Sequence, residues 1–380
     1  MAHLAFVVSS LGGGGAERVL ATLVNHWARS GHEVTVLTFQ AASDDDYELE
    51  PTIKRVALDI HGEASSKLDA LRRNARRVRV LRSALKAANP DVVVAFATRQ
   101  SVLAAAAARG LSVPVVGSER NNPERSSFLN PIWRRIMRWG YALPSAIVAV
   151  SEGIAEALRQ QTKARRVEVI HNPLDERHLT PAPSQPEDAQ PDAVHHPDDL
   201  VILGLGRLVP QKGFDNLIEA FARIADQRPD WRLVIVGDGP QRDMLTDLVH
   251  DAGLGDRVAL PGWADDTTPW YQSASIFAFP SRWEGFGVVL IEALSHGLPA
   301  VAADCDYGPR EILTHGQDGY LVRVDDIDEL ADRLASLMDD PQLRAGMASH
   351  ARSVRERYRT PAIAQQWEKL FFDLGVSLNA

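Results

Sequence analysis

The constraint that weighs most on this chain is a repeated alternation. Largely apolar runs of three to seven residues, bounded by turn residues, recur with segments of helical spacing between them. The first series reads Leu4–Val8, the helical stretch Ala16–Ser30, Glu33–Phe39, then Val92–Ala95, Val113–Gly117 and Ala146–Val150. The second reads Val201–Gly204, Arg232–Val236, Val258–Leu260, Ile276–Phe279, Ala300–Ala303 and Tyr320–Val322. Strands apolar on both faces and separated by helices belong in a parallel sheet covered on both sides. Between the series, the stretch Thr180 to Asp199 is rich in proline and acid, lacks apolar periodicity and cannot bury a core. The predicted class is α/β: two doubly wound parallel-sheet domains at 1–178 and 200–361, with a linker at 179–199. After Pro361 comes an apolar helix, Ala362 to Leu374, with Trp367, Leu370, Phe371 and Leu374 on helical spacing.

A chain of 380 residues with 45% hydrophobic content supplies two ordinary cores. No apolar run approaches the roughly 20 residues of a spanning helix. Leu4–Val8 runs into four glycines, which marks a buried first strand and not a signal peptide. The single Cys305 forms no internal disulfide, which favours a reducing cytoplasm, and the histidines show no metal-ligand spacing. The net charge of −9 is uneven: residues 1–178 hold 24 basic and 18 acidic side chains, residues 179–380 hold 17 and 32. An acidic whole argues against a general nucleic-acid binder, whereas a basic first half calls for an anionic partner there.

Two motifs in the second half carry chemistry. Glu284-Gly285-Phe286-Gly287-Val288 leads through Ile291 to Glu292, so that a glycine turn opening a helix places Glu284 before its N-terminus and Glu292 about two turns on. Free N–H groups near Gly287 and Val288 suit phosphate oxygens, and the carboxylates suit hydroxyl groups. Upstream, Gly206-Arg207 and Lys212-Gly213 flank a loop at a strand's carboxyl end, where Arg207 and Lys212 converge on a diphosphate. Negative charge building on a departing phosphate is what such cations stabilise. In the first half, Gly12 to Gly15 follow the first strand, and Gly14 and Gly15 permit close approach of a ligand. A dinucleotide fingerprint fits poorly: Arg18 stands where its last glycine belongs, and Thr38-Phe39-Gln40 supplies no acidic partner for a ribose.

Together these motifs resemble the retaining glycosyltransferases of family 4, and the likeness runs over nearly the whole chain. The resemblance implies the GT-B fold, two Rossmann-like domains facing a cleft, with the last helix, 362–380, packed back on the N-terminal domain. It implies a nucleotide-sugar donor, a UDP-hexose or UDP-N-acetylhexosamine, and no metal or other cofactor. Glu284, Arg207 and Lys212 are the catalytic candidates; Gly14, Gly15, Gly206, Gly285, Phe286, Gly287, Val288 and Glu292 would bind the donor, Glu292 through its ribose. The family's reaction implies front-face attack, with the leaving diphosphate helping to deprotonate the acceptor. Many relatives carry a histidine after an N-terminal strand; in Val115 to Pro123 the matching place holds Arg120. Asp304-Cys305-Asp306 has the form of a metal-binding DxD but lies in what resembles the family's donor loop, and Asp44–Asp46 reads as a solvated cluster.

Two basic segments complete the reading. Residues 64–88 carry Arg72, Arg76 and Arg79 at i, i+4 and i+7, one stripe on a helix whose apolar positions include Leu68, Leu71, Ala75, Val78 and Leu85. Phe128 to Tyr141 interleaves Trp133, Ile136, Met137 and Trp139 with arginines. With Arg120 these form the acceptor side, and they point to an anionic membrane surface or a lipid diphosphate, with nucleic acid disfavoured. The expectation is a cytoplasmic enzyme, peripheral at the inner face of the plasma membrane, building envelope glycan. A sugar-nucleotide epimerase on the same frame and a non-catalytic nucleotide-sugar binder are the alternatives.

Overall fold

The computed structural model describes residues 1–12, 14–41, 47–62, 65–120, 137–175 and 200–378. The expected linker 179–199, Gly13, the Asp44–Asp46 cluster and the basic-aromatic segment through Ile136 lie outside the described residues. The chain forms two compact units, Met1–Pro173 with Thr360–Ala380, and Leu174–Arg359.

The first unit is built on a seven-stranded sheet: β1 (His3–Val8), β2 (Glu33–Thr38), β3 (Lys54–Ala57), β4 (Val92–Phe96), β5 (Val115–Glu119), β6 (Ala146–Ala149) and β7 (Val167–Val169), in the order β3-β2-β1-β4-β5-β6-β7. Every pairing is parallel. The sequence of β4, Val-Val-Val-Ala-Phe, is buried throughout, as a central strand covered on both faces must be. The edge strands β3 and β7 are short and half-buried, so they carry no continuous apolar run by which sequence could mark them. Helix α1 (Gly15–Arg29) buries Val19, Leu20, Leu23, Val24 and Trp27, a stripe at the period of 3.6. Helix α2 (Lys67–Ala88) starts where the Ser66 hydroxyl accepts the Asp69 N–H and stops at left-handed Asn89. Helices α3 (Thr98–Ala108) and α4 (Glu152–Gln161) complete the layers.

The terminal helix Thr360–Asp373 belongs to this unit. Trp27 donates its indole N–H to Glu368 at 3.0 Å, the Phe371 ring lies 6.0 Å from the rings of Trp27 and Trp367, and Arg166 reaches Asp373 at 2.7 Å. Burial of three aromatic rings holds the helix, at about 1.5–3 kcal/mol for a side chain of this size.

The second unit carries β8 (Leu200–Leu205), β9 (Trp231–Val236), β10 (Val258–Gly262), β11 (Ile276–Phe279), β12 (Ala300–Ala303) and β13 (Gly319–Val322), in the order β10-β9-β8-β11-β12-β13, again all parallel. Helix α5 (Phe214–Ile224) buries Phe214, Leu217, Ile218 and Phe221 against it. Helices α6 (Arg242–Asp251), α7 (Thr268–Ser273) and α8 (Val288–Ser295) follow, α8 being apolar on nearly all sides and buried from Leu290 onward. Leu174 donates its N–H to the Tyr358 carbonyl at 2.6 Å, which ties the chain to the second unit four residues before the expected boundary at 178.

Phe371→Ala removes a ring with no exposed surface from the terminal helix and should destabilise the protein by about 3–5 kcal/mol. Urea unfolding followed by tryptophan fluorescence measures it, and a loss under about 1 kcal/mol would mean that this helix contributes little to the core.

Candidate functional site

In a doubly wound sheet the strand order reverses at one crevice, and loops leaving the carboxyl ends of the two flanking strands meet there. In the second unit these strands are β8 and β11. The loop after β8 makes a single turn, Pro210–Lys212, and ends at Gly213, whose φ of +65° and position leave no room for a side chain: a Cβ there would stand 2.2 Å from the Pro280 carbonyl oxygen. That contact sets the β8 loop directly on the start of the β11 loop. The Lys212 ammonium then donates to Glu284 Oε1 at 2.6 Å, with side chains only 17% and 10% exposed, and stands 5.6 Å from the centroid of the Phe279 ring. Arg207 is exposed on the same loop.

Glu284 is held from behind as well. Its N–H donates to the Asp306 carbonyl at 2.9 Å, and Tyr307 returns an N–H to the Glu284 carbonyl at 3.3 Å. Two residues on, Gly308 packs so closely that a Cβ would fall 1.8 Å from the Phe286 carbonyl oxygen. The Gly285–Gly287 turn therefore stays out of the helix, which begins at Val288, and Glu292 sits one turn inside it, not the two turns that spacing alone predicts. The first-turn N–H groups have no partners within a helix and suit an anion. The Phe286 side chain, expected among the donor contacts, is buried edge-on against Tyr358 and acts by anchoring the turn.

Glu292 is fully buried and accepts from the Tyr271 hydroxyl at 2.8 Å. His296 stacks on Tyr271 with centroids 5.3 Å apart, and burial, then the nearby Arg355, pushes it down to about 4, so it is neutral near neutral pH. Burial and the neighbouring Glu284 push the Cys305 thiol far up, which leaves it an inert packing group. Asp304 of the DxD-like stretch is clasped by the Arg310 guanidinium, and Asp306 is exposed. Among the described residues no cluster of His, Cys, Asp and Glu has the makings of a metal site.

In the first unit the switch lies between β1 and β4. Gly14, in the loop after β1, accepts from the Tyr47 hydroxyl at 3.1 Å, and exposed Gly15 opens α1. Arg120 departs from expectation. The sequence reading places it on the acceptor side; its guanidinium is buried 4.4 Å from the Phe96 ring centroid, with Nε on Ser118 at 3.0 Å and Nη1 on Asn172. Burial pulls its pKa down to about 9 although Glu119 opposes the shift. Glu119 in turn accepts from Thr98 and Tyr141, and burial followed by that carboxylate raises the Tyr141 pKa. The sequence puts a charge pair at this strand end, and the fold seals it.

On α2, Arg72, Arg76 and Arg79 share an exposed stripe, as the spacing requires. The apolar pattern marks the buried face only in part: Leu85 and Val78 pack into the core with Leu81 and Arg77, while Leu68 and Leu71 are 71% and 69% exposed. Met137 is also buried, and Trp139 is 61% exposed. Tyr271, Gln211 and Arg282 support the site without any motif to announce them; their partners lie between 18 and 72 residues away, beyond the reach of local spacing.

Comparison with known proteins agrees with this geometry. The Glycosyltransferase Family 4 profile matches residues 13–178 and the Glycosyl transferases group 1 profile residues 186–354. The chain is 30% identical over 371 residues to the lipopolysaccharide core biosynthesis glycosyltransferase LpsD of Rhizobium meliloti, covering 96% of each. It is 26% identical, over 98% of itself and 99% of the relative, to an alpha-1,4-N-acetyl-D-galactosaminyltransferase of Campylobacter jejuni named for a PP-undecaprenol-linked saccharide. A further match, 42% identical over 169 residues, takes in only 18% of an exopolysaccharide phosphotransferase of Streptomyces coelicolor. Among solved structures, Anabaena HepE in complex with UDP superimposes with a TM-score of 0.78 at 24% identity, over 98% of this chain and 100% of that one, which shows the shared fold.

The close approach at Gly308 makes a comparison possible between two left-handed glycines. Gly316→Ala meets open space and should cost only the left-handed penalty of about 1–2 kcal/mol, whereas Gly308→Ala must also displace the Phe286 carbonyl and should cost clearly more. Equal losses in urea unfolding would show that the carbonyl yields freely.

Proposed function

The chain belongs to glycosyltransferase family 4, and we propose that it moves a hexose or N-acetylhexosamine from a UDP-sugar, with retention, to a lipid-linked or polysaccharide acceptor in envelope glycan assembly. The observation that carries this reading is the Lys212–Glu284 pair at the β8–β11 crevice, before the N-terminus of α8, with Arg207 exposed on the same loop as Lys212. The UDP held by the Anabaena structure and the acceptor named for the Campylobacter relative support the choice of donor and acceptor.

In this reading the acceptor hydroxyl attacks the anomeric carbon from the face that the diphosphate leaves. The new glycosidic C–O bond forms as the bond to the phosphate oxygen breaks, and the hydroxyl proton passes to that phosphate. Charge accumulates on the diphosphate in the transition state, where Lys212, Arg207 and the first-turn N–H groups of α8 stabilise it. Glu284 orients Lys212 and faces the transferred sugar. Glu292 keeps the ribose hydroxyls; because its carboxylate is buried against Tyr271, this contact requires a local shift of that pair. Asp304 is engaged by Arg310, and the cations supply the positive charge, so the reaction is assigned as metal-independent.

Transfer from radiolabelled nucleotide sugars to a membrane lipid extract tests the reading directly. Arg207→Ala and Lys212→Ala should each lower turnover at least about tenfold, since a charge-assisted contact to a buried phosphate is worth about 1.5–3 kcal/mol. Near-parental rates in both variants overturn the clamp, and an isomerised donor without transfer makes the chain an epimerase. Activity should persist in EDTA. Loss restored by manganese would reinstate Asp304 and Asp306 as ligands.

The acceptor side is assigned to a membrane surface at the cytoplasmic face. No described helix is long and apolar enough to cross a bilayer. Helix α2 instead offers Arg72, Arg76 and Arg79 beside exposed Leu68 and Leu71, charge for anionic headgroups next to side chains that can enter the interface. Each basic residue near an anionic leaflet contributes about 1 kcal/mol and is screened by salt. Sedimentation should therefore show binding to anionic and not neutral liposomes, falling steeply with ionic strength. Binding left unchanged when Arg72, Arg76 and Arg79 all become Glu would favour a soluble acceptor.

A further inference from the structure

Lys212 and Glu284 come from loops 72 residues apart, and something must hold those loops in register. Beside the pair, Arg282 spans both. Its Nη1 donates to the Pro210 carbonyl at 2.8 Å and to Asp215 Oδ1 at 2.9 Å, its Nη2 to Asp215 Oδ2 at 2.8 Å and to Asn216 at 3.0 Å, and its Nε to Asp325 at 2.6 Å. Every N–H of the guanidinium is thereby used, so Arg282 has none left for a ligand. Backbone and side chain close the seam further: Arg282 donates its N–H to the Gln211 carbonyl at 2.8 Å, and the Gln211 amide donates to the Trp283 carbonyl at 2.8 Å. The residues so joined flank the ion pair on both strands of the crevice: Pro210 and Gln211 immediately precede Lys212, and Trp283 immediately precedes Glu284.

We infer that Arg282 is a positioning residue for the donor site, clasping the β8 loop to the β11 loop so that Lys212 meets Glu284 where the diphosphate is bound. The inference rests on the proposed donor reading. A planar five-donor fork is required: the single ammonium of a lysine cannot bridge both oxygens of Asp215 while also reaching Pro210 and Asp325. The effect passes through Lys212, so a variant already lacking that amine should lose little more when the clasp is removed.

Calorimetric titration with UDP, and NMR titration with uridine, distinguish positioning from general damage. Lys212→Ala should weaken UDP binding about tenfold, and Arg282→Lys at least about fivefold, with uridine affinity unchanged in both because uridine has no phosphate to be clamped. The double variant should bind UDP within about twofold of Lys212→Ala alone, which is the non-additivity expected of one coupled unit. Parental UDP affinity in Arg282→Lys, losses that multiply in the double variant, or equal weakening of uridine overturns the inference. Should Arg282→Lys fold poorly, Asp215→Asn loosens the same clasp and is held to the same outcomes. If Lys212→Ala binds UDP as the parent does, the donor reading itself fails, whatever Arg282 does.

Discussion

The carboxyl edge of the second sheet depends on holding one lysine and one glutamate, 72 residues apart in sequence, at 2.6 Å. A pair this poorly exposed is a costly thing to hold loosely: removing charges from water is repaid only if their geometry is maintained, and breaking the pair strands a partly desolvated charge. The geometry is maintained by contacts that have little freedom. Backbone meets backbone where Gly213 abuts Pro280 and Gly308 abuts Phe286, and the fully used guanidinium of Arg282 ties the loops at the side-chain level. Rigidity of this kind is what electrostatic stabilisation of a leaving group needs, because dipoles and charges that are already in place need not reorganise during the reaction.

The first unit uses its charges at strand ends differently. Glu119 and Arg120 close the end of β5 in a sealed network with Thr98, Tyr141, Ser118 and Asn172, where burial lowers the arginine to about 9. The network holds one local arrangement, although Arg120 Nη2 has no hydrogen-bond partner among the described residues. Asn172 lies next to Pro173, the last residue before the chain passes into the second unit, so the network also fixes the backbone at the exit from the first. One unit thus keeps a cation partly exposed beside a carboxylate, while the other buries one in a network at a strand end.

Much of this was legible in the sequence, for reasons that can be named. Central strands such as β4 and β8 are continuous apolar runs because they are covered on both faces, and Gly213 of the β8 loop stands where no side chain fits. The class and the two-sheet plan followed from those signals. Edge strands β3 and β7 escaped because half-exposed strands need no such run. The residues that hold the site rather than compose it escaped as well: Arg282 reads in sequence as a surface charge, and only tertiary folding brings Pro210, Asp215 and Asp325 around it. Glu292 shows the opposite limit, since spacing found the residue but gave no hint that Tyr271 would cover it.

Helix α2 makes the same point about faces. Its arginines stand on several sides, so charge alone cannot say which side meets the sheet. Arg77 lies on the inward face, where the carbonyls of Ile60 and Gly62, at 3.1 and 2.6 Å, accept its guanidinium protons, and Leu81 and Leu85 are buried on that same face. With that face committed, helical geometry leaves Arg72, Arg76 and Arg79 on the opposite side, together with Leu68. An exposed leucine among arginines gains nothing from water. The inward leucines and Arg77 together set the rotation of the helix, and that rotation decides which arginines face outward.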